Sequence, residues 1–481
     1  MINLLILILL FQVTVKNLII YQNQYYDTYR LIKAKKKNIF KLYLFIIPLL
    51  IIDLIYNNYL FSIASITFLI LLYTTKELKI LDLKYTFRAN RLIIINLVLS
   101  MLLILCINKY YVFISSLLII FNIFLLDISN KIDSIFRLII DKYYINKLKK
   151  KLNNIKPITI GITGSYGKTS TKNYLYTILK QKYNTLKTSG NINTFKGIIT
   201  YLNKYLTNDI EILIIEIGLD KKNTIDKFFK IFNFDYSFLT GIEKCHLATF
   251  KSIENIIDEK MKLLDHSKEG FINLSNNYLK ESKYYSYSLN DLEYSKYINN
   301  KIYFKLKNID KEYITSIIGD HHLINIIGVI KFLKYLNFDD NLIFQGVLSL
   351  KNEPHRYELK NKEGLIIIDD AYNSNETGFK YALKSLKYFD KKKIIITPGI
   401  IELDKENKDI NYNLGKEIIE YTDEVYLIGK NSLSIKEYFI DHNYSNYKYF
   451  NTYKEGMNEI LKLNKEAVIL IENDLLTYYL D

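Results

Sequence analysis

The chain of 481 residues has no tryptophan, only four prolines and only two cysteines, Cys106 and Cys245. Two cysteines are too few for a disulfide framework or for a cysteine-based zinc site. Their scarcity agrees with a reducing, cytosolic environment for the part of the chain that carries chemistry. Acidic residues are also scarce, 50 against 65 basic ones, which gives a formal net charge of +15. A chain of this length has room for about two or three domains.

Much of the excess of basic over acidic residues lies near the N-terminus, between long apolar runs, and this position argues against nucleic acid as the partner. Five apolar stretches precede the middle of the chain, and they cover residues 2–20, 42–55, 60–72, 92–107 and 112–126. Several are shorter than the roughly 20 residues that cross a bilayer comfortably. The loops after the first, third and fifth stretches are basic, whereas the other two loops are nearly uncharged.

This alternation of basic and neutral loops follows the positive-inside rule for a multi-pass membrane protein. It predicts about five transmembrane helices within residues 1–130, an outside N-terminus, a basic linker at 131–155, and cytoplasmic catalytic domains after the linker. Two alternatives remain open. The apolar stretches could be buried helices of a soluble domain, and the first could be a cleaved signal peptide.

A glycine-rich loop follows the apolar region, in the sequence GITGSYGKTSTK that starts at Gly161. A short β-branched strand over 158–162 precedes the loop, and the pattern predicts a helix from Lys168. Glycines let the backbone approach phosphate oxygens, the helix N-terminus presents its N–H groups, and Lys168 adds a positive charge. Thr169 is placed to offer its hydroxyl to Mg²⁺. We therefore predict an ATP-binding loop with contacts from Gly164, Ser165, Gly167, Lys168, Thr169 and Ser170.

Three further residues are candidates for the same site. The pattern EILIIEIGLD predicts a buried parallel strand with Glu216 near its carboxyl end. An acid at that edge of an open α/β sheet can reach a cation at the phosphate loop, although a buried structural carboxylate is the alternative. His246 and Lys260 are ambiguous by themselves, because a single histidine is usually structural and Lys260 could be a surface lysine beside Lys262.

The loop spacing G-x-x-G-x-x-G-K-T resembles the ATP loop of the Mur ligase superfamily, whose members join amino acids or peptides to a carboxylate through an acyl phosphate. Three later segments resemble motifs of the same family in the same order, namely LKTSGNINTFKGI at 186–198, FLTGIEKCHLATFKSIENIIDEKMKLL at 238–264 and GDHHLIN at 319–325. The resemblance covers about residues 155–481. It implies an α/β fold with a P-loop central domain at 156–344.

The last third of the chain alternates strand and helix patterns, which favours a separate, doubly wound parallel sheet. The strand patterns cover 364–372, 393–401, 424–429 and 467–473. The segments PHRYELK, at 354–360, and DDAYNSN, at 369–375, resemble further motifs of the same family. The resemblance implies a Rossmann-like C-terminal ligase domain at 345–481.

For the metal site, the resemblance implies that Thr169, Glu216 and His246 act together with Lys260, the lysine that the family carbamylates. For ATP, it implies that Asn325 lies against adenine and that Arg356 reaches the phosphates when the C-terminal domain closes. The implied catalytic set is Lys168, Lys260, His246 and Arg356. The implied nucleotide and substrate contacts are Asn191, Asn193, Asp370, Tyr372, Asn373 and Asn375.

Together these matches predict an ATP- and Mg²⁺-dependent amide ligase that adds D-alanyl-D-alanine, or a similar amino acid or peptide, to a cell-wall precursor. Family members begin with a domain that holds the UDP part of the acceptor. Because apolar stretches stand in its place here, a lipid-linked acceptor met at a membrane is a further hypothesis. The alternatives are a pseudopeptidoglycan or folylpolyglutamate type of ligase, and a membrane-anchored ATPase.

Overall fold

The computed structural model of the protein describes residues 2–23, 26, 83–106, 117–118, 121–190, 192–244, 247–299, 301–352, 354–362, 364–371, 375–401, 406–462 and 466–473. The chain divides into two compact units, Met1–Tyr143 and Tyr144–Asp481.

The described part of the first unit is helical, with α1 (Ile2–Asn23), α2 (Phe87–Cys106) and the beginning of α3 (Asn122–Ile155). Its apolar core includes Leu18 of α1, Leu92 of α2 and Leu126 of α3. A polar network crosses the same helices, with hydrogen bonds of 2.9–3.2 Å among the fully buried side chains of Thr14, Asn17, Asn96 and Asn122. Because buried amide groups need partners, this network favours one pairing of the three helices.

The multi-pass membrane region predicted from the loop charges is wrong, and so is the membrane localisation that was inferred from it. In the described part of the chain, a single helix, Phe87–Leu105, is long and apolar enough to cross a membrane, as judged by length and composition. One such helix is a weak indication, because a buried core helix has the same properties. The predicted stretches 42–55 and 60–72 lie outside the described residues, and the expected linker at 131–155 belongs to α3.

The second unit contains a six-stranded parallel sheet in the order β2-β3-β1-β4-β5-β6. Its strands are β1 (Ile158–Thr163), β2 (Thr185–Lys187), β3 (Ile212–Glu216), β4 (Phe234–Leu239), β5 (Ser267–Asn273) and β6 (Tyr285–Tyr287). Strands such as ILIIE in β3 are buried along their whole length, as expected for a parallel sheet with helices on both faces. Because β1 lies between β3 and β4, the carboxyl ends of these three strands meet at one edge.

Two helical layers cover this sheet. The helices are α4 (Lys168–Leu179), α5 (Phe195–Tyr205), α6 (Ile225–Phe229), α7 (Leu247–Phe250), α8 (Ile253–Asp265), α9 (Asp320–Tyr335) and α10 (Asp340–Leu348). One apolar core joins α4, α9 and α10 to the sheet, and a second joins α5, α6 and α8 to it. The predicted strand at 158–162 and the predicted helix start at Lys168 are therefore confirmed.

A small antiparallel sheet was not predicted. It consists of β7 (Leu292–Ile298), β8 (Lys301–Leu306) and β9 (Glu312–Thr315). Its first strand, LEYSKYI, is half-buried or exposed at every position and mixes polar with aromatic residues, so it lacks the apolar run that reveals a buried strand.

The C-terminal sheet has the order β10-β11-β15-β12-β13-β14, and every neighbouring pair is parallel except β10 with β11. The strands are β10 (Glu358–Lys362), β11 (Leu365–Asp370), β12 (Lys392–Thr397), β13 (Glu424–Ile428), β14 (Tyr447–Phe450) and β15 (Ala467–Glu472). The helices are α11 (Glu376–Ser385), α12 (Asn407–Tyr421), α13 (Leu433–Asp441) and α14 (Tyr453–Ile460). The four predicted strands are confirmed, whereas the polar edge strands β10 and β14 were missed.

Candidate active site

The phosphate loop, residues 164–167, joins the end of β1 to the first residue of α4. Two of its glycines have left-handed backbone angles, with φ of 155° at Gly164 and 77° at Gly167. A side chain at Gly164 would collide with the Thr240 hydroxyl, and one at Gly167 would press against the Asn325 amide. Glycine therefore allows the tight loop that presents backbone N–H groups at the start of a helix, as phosphate binding requires.

Lys168 begins α4, and its ammonium group donates to carbonyl oxygens of the loop, at 2.7 Å to Gly164 and 3.3 Å to Ser165. Ser165 is also held from the other side. Its N–H donates to the Gly241 carbonyl at 2.8 Å, and its hydroxyl accepts from the Glu243 N–H at 2.9 Å. These contacts keep a positive charge beside the helix N-terminus, where an anionic phosphate is stabilised.

Glu216 ends β3 and lies next to the first turn of α4. Its two carboxylate oxygens are 3.1 and 3.0 Å from the Thr169 hydroxyl, and one of them accepts from the Lys172 ammonium at 2.7 Å. Burial would raise the pKa of Glu216, but the charges of Lys172 and Lys168 and the hydrogen bonds outweigh it and lower that pKa. Glu216 is therefore ionised at neutral pH. With the Thr169 hydroxyl it offers the oxygen ligands that Mg²⁺ prefers.

Lys172 is a residue of this site that the sequence analysis missed. Its side chain is 1% exposed, and its ammonium donates both to Glu216 and, at 2.7 Å, to the carbonyl of Gly190. Lys172 follows Lys168 by one helical turn, and residues at that spacing share a helix face. That spacing was the available signal, and it would have placed a second lysine at the phosphate loop.

The segment expected to bind the acceptor lies beside Glu216. The Asn193 amide nitrogen is 3.5 Å from a Glu216 oxygen, and the Asn193 carbonyl accepts from the Gly218 N–H at 2.8 Å. The Thr194 hydroxyl accepts from the Gly197 N–H at 3.3 Å and so caps α5. Asn191 lies outside the described residues.

Lys260 projects from α8 toward the phosphate loop. It is 2% exposed, and its ammonium donates to the Gly164 carbonyl at 3.2 Å, the same oxygen that Lys168 contacts. Lys262, on the same helix, is 34% exposed and pairs with Glu259 at 3.0 Å. Lys260 is thus not the surface lysine of the alternative interpretation. Its carbamylation stays a prediction, and His246 lies outside the described residues.

The start of α9 packs against the same loop. Asn325 is buried, and its amide group lies where a side chain at Gly167 would be. His322 is 4% exposed, with its Nδ1 at 2.9 Å from the Tyr174 hydroxyl. Burial, and then the charges of His321 and Arg356, lower the pKa of His322 well below its ordinary value. The imidazole is therefore neutral at neutral pH.

Arg356 precedes β10, and its charge acts on both His322 and Asp370. Asp370 ends β11, accepts from the Tyr357 N–H at 3.0 Å and shares a hydrogen bond with Glu472. Burial raises the pKa of Asp370 to about 6, although the Tyr357 N–H and Arg356 oppose this rise. The C-terminal sheet therefore carries a pair of acids at its strand ends, close to an arginine.

Asn375 caps α11, because its side-chain oxygen accepts from the Gly378 N–H at 2.8 Å. In the same helix, the Thr377 hydroxyl donates to the carboxylate of Glu243, the residue whose backbone holds Ser165. A cleft of about 460 Å³ opens at this contact, and Glu243 and Thr377 are among its lining residues. The other two residues expected here, Tyr372 and Asn373, lie outside the described residues.

The arrangement brings three lysines, one threonine hydroxyl and one carboxylate to the carboxyl ends of β1 and β3. Such a set can neutralise the phosphates of a nucleotide and hold a divalent cation. The residues it unites were predicted, except for Lys172.

Comparisons with known proteins identify the family of the chain. The family model of the Mur ligase middle domain matches residues 162–333, and that of the Mur ligase glutamate ligase domain matches residues 355–472. Together the two matched segments span more than half of the chain.

Two curated relatives are named UDP-N-acetylmuramoyl-tripeptide--D-alanyl-D-alanine ligase. The Borreliella burgdorferi protein is 29% identical over 300 residues, which are 58% of this chain and 63% of that protein. The Bacillus subtilis protein is 29% identical over 314 residues, which are 61% and 67% of the two chains. The chain thus matches about two thirds of the length of these relatives.

Solved structures show the same fold. MurF ligase from Thermotoga maritima, in complex with ADP, aligns with a TM-score of 0.61 at 24% identity and covers 69% of this chain and 80% of its own. MurF from Acinetobacter baumannii aligns with a TM-score of 0.61 at 21% identity and covers 68% and 76%. The chain therefore belongs to the Mur ligase family, with the middle domain and the C-terminal glutamate ligase domain of that family.

Proposed function

We propose that the protein is an ATP-dependent amide ligase that adds D-alanyl-D-alanine to the peptide of a UDP-N-acetylmuramoyl-tripeptide or a closely similar cell-wall precursor. The observation that carries the proposal is the contact of Thr169 and Lys172 with the ionised Glu216, directly beside the phosphate loop. The names of the Borreliella burgdorferi and Bacillus subtilis relatives support the choice of substrates.

The proposed reaction has two bond-forming steps. The acceptor carboxylate attacks the γ-phosphorus of ATP, ADP leaves, and an acyl phosphate forms. The amine of the dipeptide then attacks the acyl carbon, phosphate leaves, and an amide bond forms. Such chemistry depends on positioning and on neutralising charge, so it needs no covalent nucleophile on the enzyme.

The residues of this chain have separate tasks in that reaction. The loop N–H groups and Lys168 bind the phosphates, and Lys260 adds a second positive charge at the Gly164 carbonyl. Asn193 lies beside Glu216, where it can orient the acceptor near the γ-phosphate. Arg356 approaches the phosphates when the C-terminal domain closes, and closure excludes water that would hydrolyse the acyl phosphate.

Mg²⁺ fits the donor set, because the Thr169 hydroxyl and the ionised Glu216 carboxylate are oxygen ligands beside the phosphate loop. When bound, Mg²⁺ would neutralise negative charge on the ATP phosphates. Thr169 and Glu216 are the described residues that would hold it, and His246 is a further expected ligand. Lys260 would join them only as the carbamate, which replaces the positive charge of its free ammonium with a negative one.

Phosphate release from Mg²⁺-ATP tests the proposal. UDP-N-acetylmuramoyl-tripeptide and D-alanyl-D-alanine are added separately and together, and Lys168→Ala is the inactive control. We expect release only with both substrates, and a loss of at least about a hundredfold in the variant, because the lysine neutralises charge in the transition state. Release without either substrate would instead indicate an ATPase. Release that requires glutamate and a folate would indicate a folylpolyglutamate type of ligase.

A further inference from the structure

Residues 240–243, which follow β4, are bonded to the phosphate loop at several points, and we call them the connecting segment. The Ser165 N–H donates to the Gly241 carbonyl at 2.8 Å, and the Thr240 hydroxyl donates to the Tyr166 carbonyl. A side chain at Gly241 would collide with the ring of Tyr166. Glycine therefore permits this close approach between the connecting segment and the phosphate loop.

Further hydrogen bonds interlock the connecting segment with the loop. The Glu243 N–H donates to the Ser165 hydroxyl at 2.9 Å, and that hydroxyl donates to the Glu243 carbonyl at 3.2 Å. The amide of the buried Asn276 donates to the Ile242 carbonyl at 2.8 Å and to the Tyr166 hydroxyl at 2.9 Å. Because these bonds form one buried network, we expect the phosphate loop and the connecting segment to move together.

The side chain of Glu243 joins this network to the C-terminal domain. Its Oε1 accepts from the Lys244 N–H at 3.0 Å, and its Oε2 accepts from the Thr377 hydroxyl. Thr377 lies in the first turn of α11, two residues after the capping Asn375. Glu243 is 7% exposed, and a buried carboxylate oxygen without a donor is costly. The contact therefore favours the arrangement in which α11 lies close to the phosphate loop.

The next residue of the chain also reaches the C-terminal domain, but through a contact of a different kind. The Lys244 ammonium is 3.4 Å from a Glu406 carboxylate oxygen, and the two side chains are 43% and 45% exposed. Exposed ion pairs of this kind contribute little to stability. Glu243 and Lys244 therefore form a matched pair, in which the buried member is the one that can hold the domain.

We infer that Glu243 is a positioning residue, which transmits ATP binding at the phosphate loop to α11 and so holds the C-terminal domain closed over the acyl phosphate. The inference rests on the proposed function, because that reaction forms the acyl phosphate. In an open site, water attacks the acyl carbon in place of the amine. A C–O bond then forms, the bond to phosphate breaks, one proton goes to solvent and the acceptor carboxylate is regenerated. ATP is consumed without an amide bond.

The ratio of phosphate released to amide formed tests the inference, with ATP, acceptor and dipeptide all saturating. In the parent protein, each phosphate should accompany one amide bond. Thr377→Val removes the donor hydroxyl at nearly constant volume and should raise the ratio at least about twofold, because losing one charge-assisted hydrogen bond shifts the closure equilibrium about tenfold. Thr377→Ser keeps the hydroxyl and should retain the parent ratio.

Changes on the other side of the contact complete this test. Glu243→Ala should raise the ratio as Thr377→Val does, and the double variant should go no further, because both changes remove the same contact. Lys244→Met is the control: it removes the exposed contact with Glu406 and should leave the ratio unchanged. Parent ratios in both the Thr377→Val and the Glu243→Ala proteins would overturn the inference.

Hydrogen exchange separates this inference from the proposed function, because it needs no acceptor. Amide exchange of α11 is measured in the full chain with and without Mg²⁺ and a saturating, non-hydrolysable ATP analogue. The analogue should slow exchange about tenfold in the parent and less than about twofold in Thr377→Val. Equal slowing in the two proteins would overturn the inference. A protein that forms no amide with any acceptor would refute the proposed function, while the exchange rates would still decide whether Glu243 transmits ATP binding to α11.

Discussion

Two sheets of the second unit are built mainly from parallel strands but differ in the chemistry at their strand ends. The middle sheet and the C-terminal sheet each have six strands, and each contains an inner strand that ends in a buried glutamate. Glu216 ends β3 and Glu472 ends β15, and the two residues are 2% and 0% exposed. Both glutamates therefore lie at the carboxyl end of an inner strand.

Their neighbours have opposite charges. Glu216 faces the Lys172 ammonium at 2.7 Å, and its pKa is lowered because the lysines outweigh the effect of burial. Glu472 shares a hydrogen bond with Asp370, and burial raises the pKa of Asp370 to about 6. One sheet thus keeps an ionised carboxylate ready for a cation, whereas the other holds two acids together. The side chains around the strand end, and not the sheet itself, determine the chemistry.

The largest difference between the two strand ends should appear when each glutamate is neutralised in turn. Glu216→Gln should reduce substrate-dependent phosphate release about a thousandfold, because it removes the charge that would hold the cation beside the phosphates. Glu472→Gln, the matched change in the other sheet, should cost no more than about tenfold. Initial rates at saturating substrates measure both. Equal losses would mean that the two strand ends do not differ in function.

Two lysines of α8 provide a second test of the middle sheet. Lys260→Ala should reduce phosphate release about a hundredfold, because the buried ammonium lies at the Gly164 carbonyl of the phosphate loop. Lys262→Ala removes the same charge from a partly exposed position and should change the rate by less than about twofold. If the Lys260→Ala protein released phosphate at the parent rate, Lys260 would have no role in the reaction.

The buried ion pair of the middle sheet should also show in stability. Lys172→Met should lower the free energy of unfolding by about 3 kcal/mol, because Glu216 would keep a buried charge without its closest partner. Adding Glu216→Gln to Lys172→Met should recover part of that loss, since no charge then remains unpaired. Urea unfolding of both single variants and the double variant gives the coupling energy. Additive effects would show that the pair does not act as a unit.

The phosphate loop, Glu216 and the four inner strands of the C-terminal sheet could be predicted, because glycine spacing and runs of buried β-branched residues leave clear patterns. Lys172 was missed, since a lysine on a helix is ordinarily exposed. The small antiparallel sheet and β10 lack apolar runs, so only tertiary contacts reveal them. Two of the basic residues in the regions taken as loops, Arg91 and Arg137, belong to helices and contact Asp133 within the first unit.

The smallest expected effect is on the pH dependence of stability, to which the acids of the two sheets should contribute in opposite directions. The folded pKa of Asp370, about 6, is above its ordinary value of 3.8, so the folded state holds the proton more tightly. Between those values stability falls as pH rises, by up to about 1.4 kcal/mol per pH unit, and Asp370→Asn should remove this decline.

The lowered pKa of Glu216 works in the other direction, so its stabilising contribution is lost as pH falls below the ordinary value of 4.5. Relative to the parent, Asp370→Asn should therefore gain stability from about pH 4 to 6, whereas the deficit of Glu216→Gln should shrink on acidification. Urea unfolding at a series of pH values measures both differences, and slopes of the same sign would contradict the assignment of opposite charge environments to the two strand ends.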